Sequence, residues 1–317
     1  MRKFTAAVIV VAFAASAALA QSQQAPTLRI VTEDGNRLPA ELMYGNTKVK
    51  PLRLRPGTNI PITIDDSDFF VQQHYVDFLS RFPDQSGFVF WQNDIEQCGS
   101  NAQCREVHRV NVSAAFFLSI ELQRTGYLVL KTHRVAFGNL PDKPVPIRRE
   151  TFMPEMRSIS NGVIVNGEPD WEAKLNANMD AYLQAFVQRS DFTAQFPGTM
   201  TAAQFVDKLY ANARVSPTAA ERSAAITAFG SGNAAGRAAA LRSVTAEGST
   251  LHQALFNEGF VLMQYFGYLK RDPDALPDRN FDGYNHWLGK LNEFNGNYIA
   301  AEMVKAFISS TEYRTRF

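Results

Sequence analysis

The chain has 317 residues, 45% hydrophobic and 12% aromatic, enough for a sizeable core and roughly two domains of ordinary size. It carries 32 basic against 31 acidic residues and no basic block, a balance that argues against nucleic acid as a partner. Arg2 and Lys3 precede an apolar run from Phe4 to about Ala15, and Ala18-Leu19-Ala20 gives a small-x-small cleavage pattern. Residues 1–20 are thus predicted to be a signal peptide, too short to span a bilayer. Its removal leaves 30 basic against 31 acidic residues. No later stretch is long and apolar enough to cross a membrane. An extracytoplasmic protein is expected, whether periplasmic, secreted or held at the cell surface.

Residues 21–66 form a small β region. Leu28, Ile30 and Thr32 alternate before Asp34-Gly35, Leu52 and Leu54 alternate before Pro56-Gly57, and Ile60, Ile62 and Ile64 alternate again. Short antiparallel strands are predicted, too few to stand alone.

The first helical unit, 67–137, opens with Phe70, Tyr75, Phe78 and Leu79 on one stripe and Gln72, Gln73, Asp77 and Ser80 mostly on the other. Arg81 suits the negative end of that helix, Pro83 stops it, and Asp84 is placed to cap the next. Gly87 and Trp91, four apart, share a face of the second helix. Cys98 and Cys104 are the only cysteines. In an oxidising compartment a disulfide is the leading reading, since a zinc site wants further ligands and only His108 is at hand. A long helix is predicted from Cys104 to Thr125, with Val107, Val110, Ala114, Phe117, Leu118 and Leu122 buried. His74 with Asp77, and His108 with Glu106, read as helix-surface neighbours.

Residues 138–170 are a proline-rich connector, with a possible hairpin at Val163-Ile164-Val165. Asp170 is expected to cap a helix from Trp171, within a middle helical region 171–255. There a degraded unit begins at Phe205-Val206, with Tyr210 five after Phe205 and Ser216-Pro217 as an N-cap and first-turn proline.

The last unit, 256–317, rewrites the first. Phe70, Val71, Tyr75, Leu79, Arg81, Pro83 and Asp84 fall in step with Phe260, Val261, Tyr265, Leu269, Arg271, Pro273 and Asp274. After a six-residue insertion, Gly87 and Trp91 match Gly283 and Trp287, and Phe116-x-x-Ser119-x-Glu121 matches Phe307-x-x-Ser310-x-Glu312. Repetition of a helix–turn–helix unit makes the predicted fold mainly α, with the small antiparallel β subdomain at its start.

Candidate chemistry is sparse. Asp278-x-Asn280-x-Asp282-Gly283 matches the start of an EF-hand-type calcium loop, yet its twelfth position is Gly289 rather than glutamate. Helix capping by Asn280 is the leading reading, with calcium as the alternative and no other cofactor implied. Tyr284 and His286 flank the core-facing Gly283 and Trp287 and are the candidate exposed ligand-binding pair. No G-x-S-x-G, H-E-x-x-H or paired C-x-x-C occurs, so no enzyme is expected.

FVxxxY, LxRxPD, Gly-x-x-x-Trp and Phe-x-x-Ser-x-Glu together resemble the bacterial family called domain of unknown function 4214, at 69–124 and 256–317. The resemblance implies helical modules on exported and surface-layer proteins, distantly similar to phycobilisome linker domains, and with it adhesion, envelope attachment or scaffolding. The expectation is an exported non-enzymatic protein binding a protein or envelope component. The alternative is a glycan-binding surface module for an envelope polysaccharide, assisted or not by calcium.

Overall fold

The computed structural model describes residues 28–32, 40–45, 47–50, 52–167 and 169–317. The expected signal peptide and the Asp34-Gly35 turn lie outside these residues. Strand β1 (Leu28–Thr32) pairs antiparallel with β2 (Ala40–Tyr44), Ile30 facing Leu42, and β2 pairs with β3 (Thr47–Lys48). The later alternating runs do not form strands. Leu54 and Pro61 make one isolated bridge, and Leu52, Leu54 and Ile60 are exposed. Pro61 has no N–H to extend the pairing.

The rest is helical. Helix α1 (Ser67–His74) runs into a π-helical turn at Tyr75–Leu79, followed by α2 (Gln85–Glu96), α3 (Ala102–Leu118), α4 (Ile120–Arg124) and α5 (Gly126–Phe137). The single helix predicted over 104–125 breaks at Ser119, whose extended backbone (ψ 145°) and hydroxyl cap α4. The break leaves Leu118 exposed, and Val107 is exposed as well, contrary to the predicted stripe. Asp77 was expected on the polar side and is buried. Asp77 follows Phe70 by seven and His74 by three, which puts it on their buried face, against the last unit.

The proline-rich connector holds a helix of its own, α6 (Arg149–Ser160), and residues 163–165 form no hairpin. Then come α7 (Trp171–Phe186), α8 (Ser190–Gln195), α9 (Ala202–Ala213), α10 (Ala219–Phe229) and α11 (Ala234–Val244). Asp170 stands at the N-cap of α7 without bonding its amides. Helix α10 is capped by Thr218 and Glu221 in a reciprocal capping box, not by Ser216. Phe205, Val206 and Tyr210 lie on the buried face of α9. Rings of Phe186, Phe192, Phe196, Phe205 and Phe229 meet in series through this half. Glu155 ties α5, α6 and α7 together by accepting from Tyr182 (2.7 Å) and pairing with His133 (2.8 Å) and Arg189 (2.7 Å).

Helix α12 (Thr250–Gln264) ends in a second π turn, Tyr265–Leu269, and α13 (Asp282–Glu293), α14 (Met303–Ser309) and α15 (Thr311–Arg314) close the chain. No helix among the described residues is long and apolar enough to cross a bilayer.

Candidate functional site: the paired helix corners

Each matched segment makes a corner built in the same way. The π turn ends on a left-handed, non-glycine residue, Ser80 (φ 54°) or Lys270 (φ 56°), so the chain doubles back. That reversal lays Arg81 over the Tyr75 ring, 4.9 Å from its centroid, and Arg271 over Tyr265 at 5.3 Å. Arg81 then donates two bonds to Glu121 (3.0 and 2.9 Å), and Arg271 two to Glu312 (2.5 and 3.0 Å). A planar guanidinium suits this bidentate grip.

The remaining motif residues support that grip. Ser119 and Ser310 accept from Leu122 N and Tyr313 N, both at 3.1 Å, so each glutamate sits in a capped first turn. Phe116 and Phe307 meet Tyr75 and Tyr265 edge-on at 4.9 and 5.3 Å, with Trp91 and Trp287 at 6.2 and 5.9 Å from the same phenylalanine rings. A Cβ on residue 87 or 283 would overlap the hydroxyl of Tyr75 or Tyr265, so glycine leaves room for each tyrosine where it stands.

The insertion changes the carboxylates. Asp84 caps α2 through Gly87 N (2.8 Å) and touches Arg81 (3.4 Å). Its sequence partner Asp274 instead binds Arg148 and Lys143, fastening the segment before α6 to the second corner. Asp278 takes over beside Arg271, at 2.7 Å. Asn280 accepts from Asp282 N (3.0 Å) and donates to the Asp282 carboxylate, but the N-cap position of α13 is Phe281, so Asn280 does not make the expected bond to Gly283 N. Pro83 and Pro273 sit in the reversals themselves.

Of the expected ligand-binding pair, His286 is exposed against Trp287, but Tyr284 is 1% exposed. Helix α13 packs along α12, which buries Tyr284 and directs its hydroxyl to the Glu258 carbonyl (3.3 Å).

The corners meet back to back, the Phe78 ring 4.8 Å from Tyr268. Asp77 lies between them, salt-bridged by Lys270 (2.9 Å) and Arg316 (2.8 Å). Burial alone would push its carboxyl up. The two cations outweigh burial and hold it well below the usual carboxylate range. Burial lowers Lys270 to about 8 despite Asp77. His74, expected at the surface, is fully buried, and burial lowers it to about 4. A neutral ring donates from Nδ1 to the Phe70 carbonyl (2.8 Å), so Nε2 accepts from Ser113 (2.7 Å), which in turn accepts from Tyr268. Ser113 is inaccessible, so this chain of bonds joins the corners and presents no nucleophile.

Two further places carry polar groups. Cys98 and Cys104 form a disulfide at the α2–α3 turn. His108 pairs with Asp94 (3.0 Å), while Glu106 pairs with Lys305. A cleft of about 650 Å³ beside α5 and α9 is lined by Arg134, Asn139, Lys143, Asn212 and Arg214 among others. The grip of Arg81 on Glu121 escaped the sequence reading, although both residues stood in the matched motifs. No family model, no curated protein and no solved structure matches the chain.

Proposed function

We propose that the chain is an exported, non-enzymatic interaction protein, its two corners copies of one module joined to the small β region of 21–66. The partner is a protein, bound through the face of the first corner. The observation that carries this reading is an asymmetry between matched positions. Phe82 is 57% and Phe90 62% exposed, and Leu118 and Ile120 are exposed with them. The second corner has Asp272, His286, Ser309 and Thr311 in those places. Arg81 and Glu121, bonded to each other, bring their neighbours Phe82 and Ile120 to one end of the α2–α3 hairpin. An apolar face at the surface, beside a corner whose polar groups are already paired, suits protein contact. Resemblance to the domain of unknown function 4214 family supports the same reading.

The test is cross-linking on intact cells with wild type and a Phe82→Ser/Phe90→Ser/Ile120→Ser variant. Loss of one discrete cross-linked neighbour at unchanged melting temperature is expected. No neighbour in the wild type, or the same neighbour in the variant, refutes the reading.

A second reading, binding of an acidic envelope polysaccharide, is favoured by the cleft at Arg134. There Arg214 has no ion-pair partner among the described residues. Calorimetric titration with that polysaccharide, repeated on Arg214→Ala, decides it.

A further inference from the structure

We propose that the Cys98–Cys104 pair is one state of a two-state site, and that the reduced chain binds a thiophilic divalent cation of the zinc class there. The two sulfurs and a ring nitrogen of His108 lie within 4.8 Å of one another. Zinc with bonds of about 2.3 Å to sulfur and 2.0–2.1 Å to nitrogen sets its ligands some 3–4 Å apart. Closing on the ion therefore asks for small side-chain rotations and no new backbone path.

The three ligands come from rigid places. Cys98 stands in the turn that ends α2, and Cys104 and His108 are four apart on α3, hence on one face of it. Asn101 caps α3 by accepting from Cys104 N (3.1 Å), which fixes the first turn carrying that cysteine. His108 is already oriented, because Asp94 Oδ2 holds Nδ1 at 3.0 Å. Nε2 has no partner among the described residues. A carboxylate on one ring nitrogen with the other left to a metal is the usual support of zinc-bound histidine. Water would complete the fourth position.

The chemistry balances with a dithiol as reductant. It gives two electrons and two protons to the Cys98–Cys104 bond, leaving as its own cyclic disulfide, and two protein thiols form. The cation then displaces two thiol protons and takes two thiolates and one imidazole. The ion would keep the α2–α3 hairpin closed whenever the disulfide is open.

The experiment uses the full chain, reduced with a dithiol, freed of reductant without oxygen and titrated with Co²⁺. One equivalent is expected to bring thiolate-to-cobalt bands and the strong visible bands of a tetrahedral site, absent from the oxidised protein and abolished by excess Zn²⁺. Asp94→Asn is expected to weaken Co²⁺ by about 10–100-fold, and His108→Ala by at least as much. Circular dichroism of each reduced variant, matching wild type, keeps folding out of the comparison. Absence of the bands, or equal affinity in His108→Ala, overturns the proposal.

Discussion

The Phe78 ring fills the space beside Gly267 so closely that a Cβ on residue 267 would fall inside it. Both residues lie in the π turns through which the corners touch, and Phe78 cannot retreat because Phe117 and Tyr268 hold its ring. Gly267→Ala is therefore expected to cost about 1–3 kcal/mol, the usual range for overpacking. Gly289, on α13 with open space beside it, is the control. There alanine should stabilise by about 0.5–1 kcal/mol through helix propensity. Urea midpoints of the two variants should move in opposite directions.

Glu121 is 3% exposed and Glu312 34%. Burial pushes the Glu121 carboxyl up, and Arg81 is the cation that opposes it. Arg81→Ala leaves that carboxylate buried and unpaired, at a cost of about 3–5 kcal/mol. Arg271→Ala leaves a half-exposed carboxylate and should cost clearly less. An Arg81→Met/Glu121→Leu double variant should recover most of the first loss. Equal losses at the two corners would show that burial of the carboxylate does not govern the difference.

Gln264 occupies the place of His74 in the second corner, wholly buried, and its amide has no partner among the described residues. A buried amide left unbonded costs about 1–3 kcal/mol. Gln264→Met, close in volume and free of that cost, is expected to raise the melting temperature. The check is calorimetry, and a lowered value would mean that the amide is bonded in solution.

Acid sensitivity should begin at two histidines. Burial lowers both His74 and His252 to about 4, from an unfolded value near 6.5. Between those values the unfolded chain binds more protons, so stability rises with pH across the window and is lost as pH falls through it. The charged groups facing His74 are Asp77, which favours its protonation, and Arg109 and Arg316, which oppose it. His74→Gln should flatten the dependence of the urea midpoint between pH 6.5 and 4. An unchanged slope would place the acid response elsewhere.

Calcium at the Asp278–Asp282 loop would have to displace Arg271 from Asp278 and part Asn280 from Asp282. Millimolar calcium, or a chelator, is accordingly expected to leave the melting temperature unchanged. A rise of several degrees would restore the loop as a cation site.

Asp84 as a cap was readable from the chain, whereas the helix end at Ser80 and the break at Ser119 were not. A cap depends on neighbours a few positions away, which sequence spacing reports. Asp77, His74 and Tyr284 were placed at the surface and are buried, each for a non-local reason. Lys270 and Arg316 of the last unit cover Asp77, Tyr268 of the opposite corner meets His74, and α12 covers Tyr284. Helical spacing does put His74 and Asp77 on the face of Phe70, but their polar character pointed to the surface, and only partners from distant segments account for their burial. Arg81 and Glu121 lie forty positions apart, and only their joint recurrence as Arg271 and Glu312, forty-one apart, hints along the chain that they are partners.

Arg316 reaches back 239 positions to Asp77, and Phe317 rests edge-on against Phe69 at 5.5 Å. Asp77 is therefore held by two cations of the last unit, Lys270 and Arg316, and the first corner is complete only when that unit has folded against it. Contacts so distant in sequence raise the loop-closure cost that must be met before they form, so the joining of the corners is the slow event expected in folding.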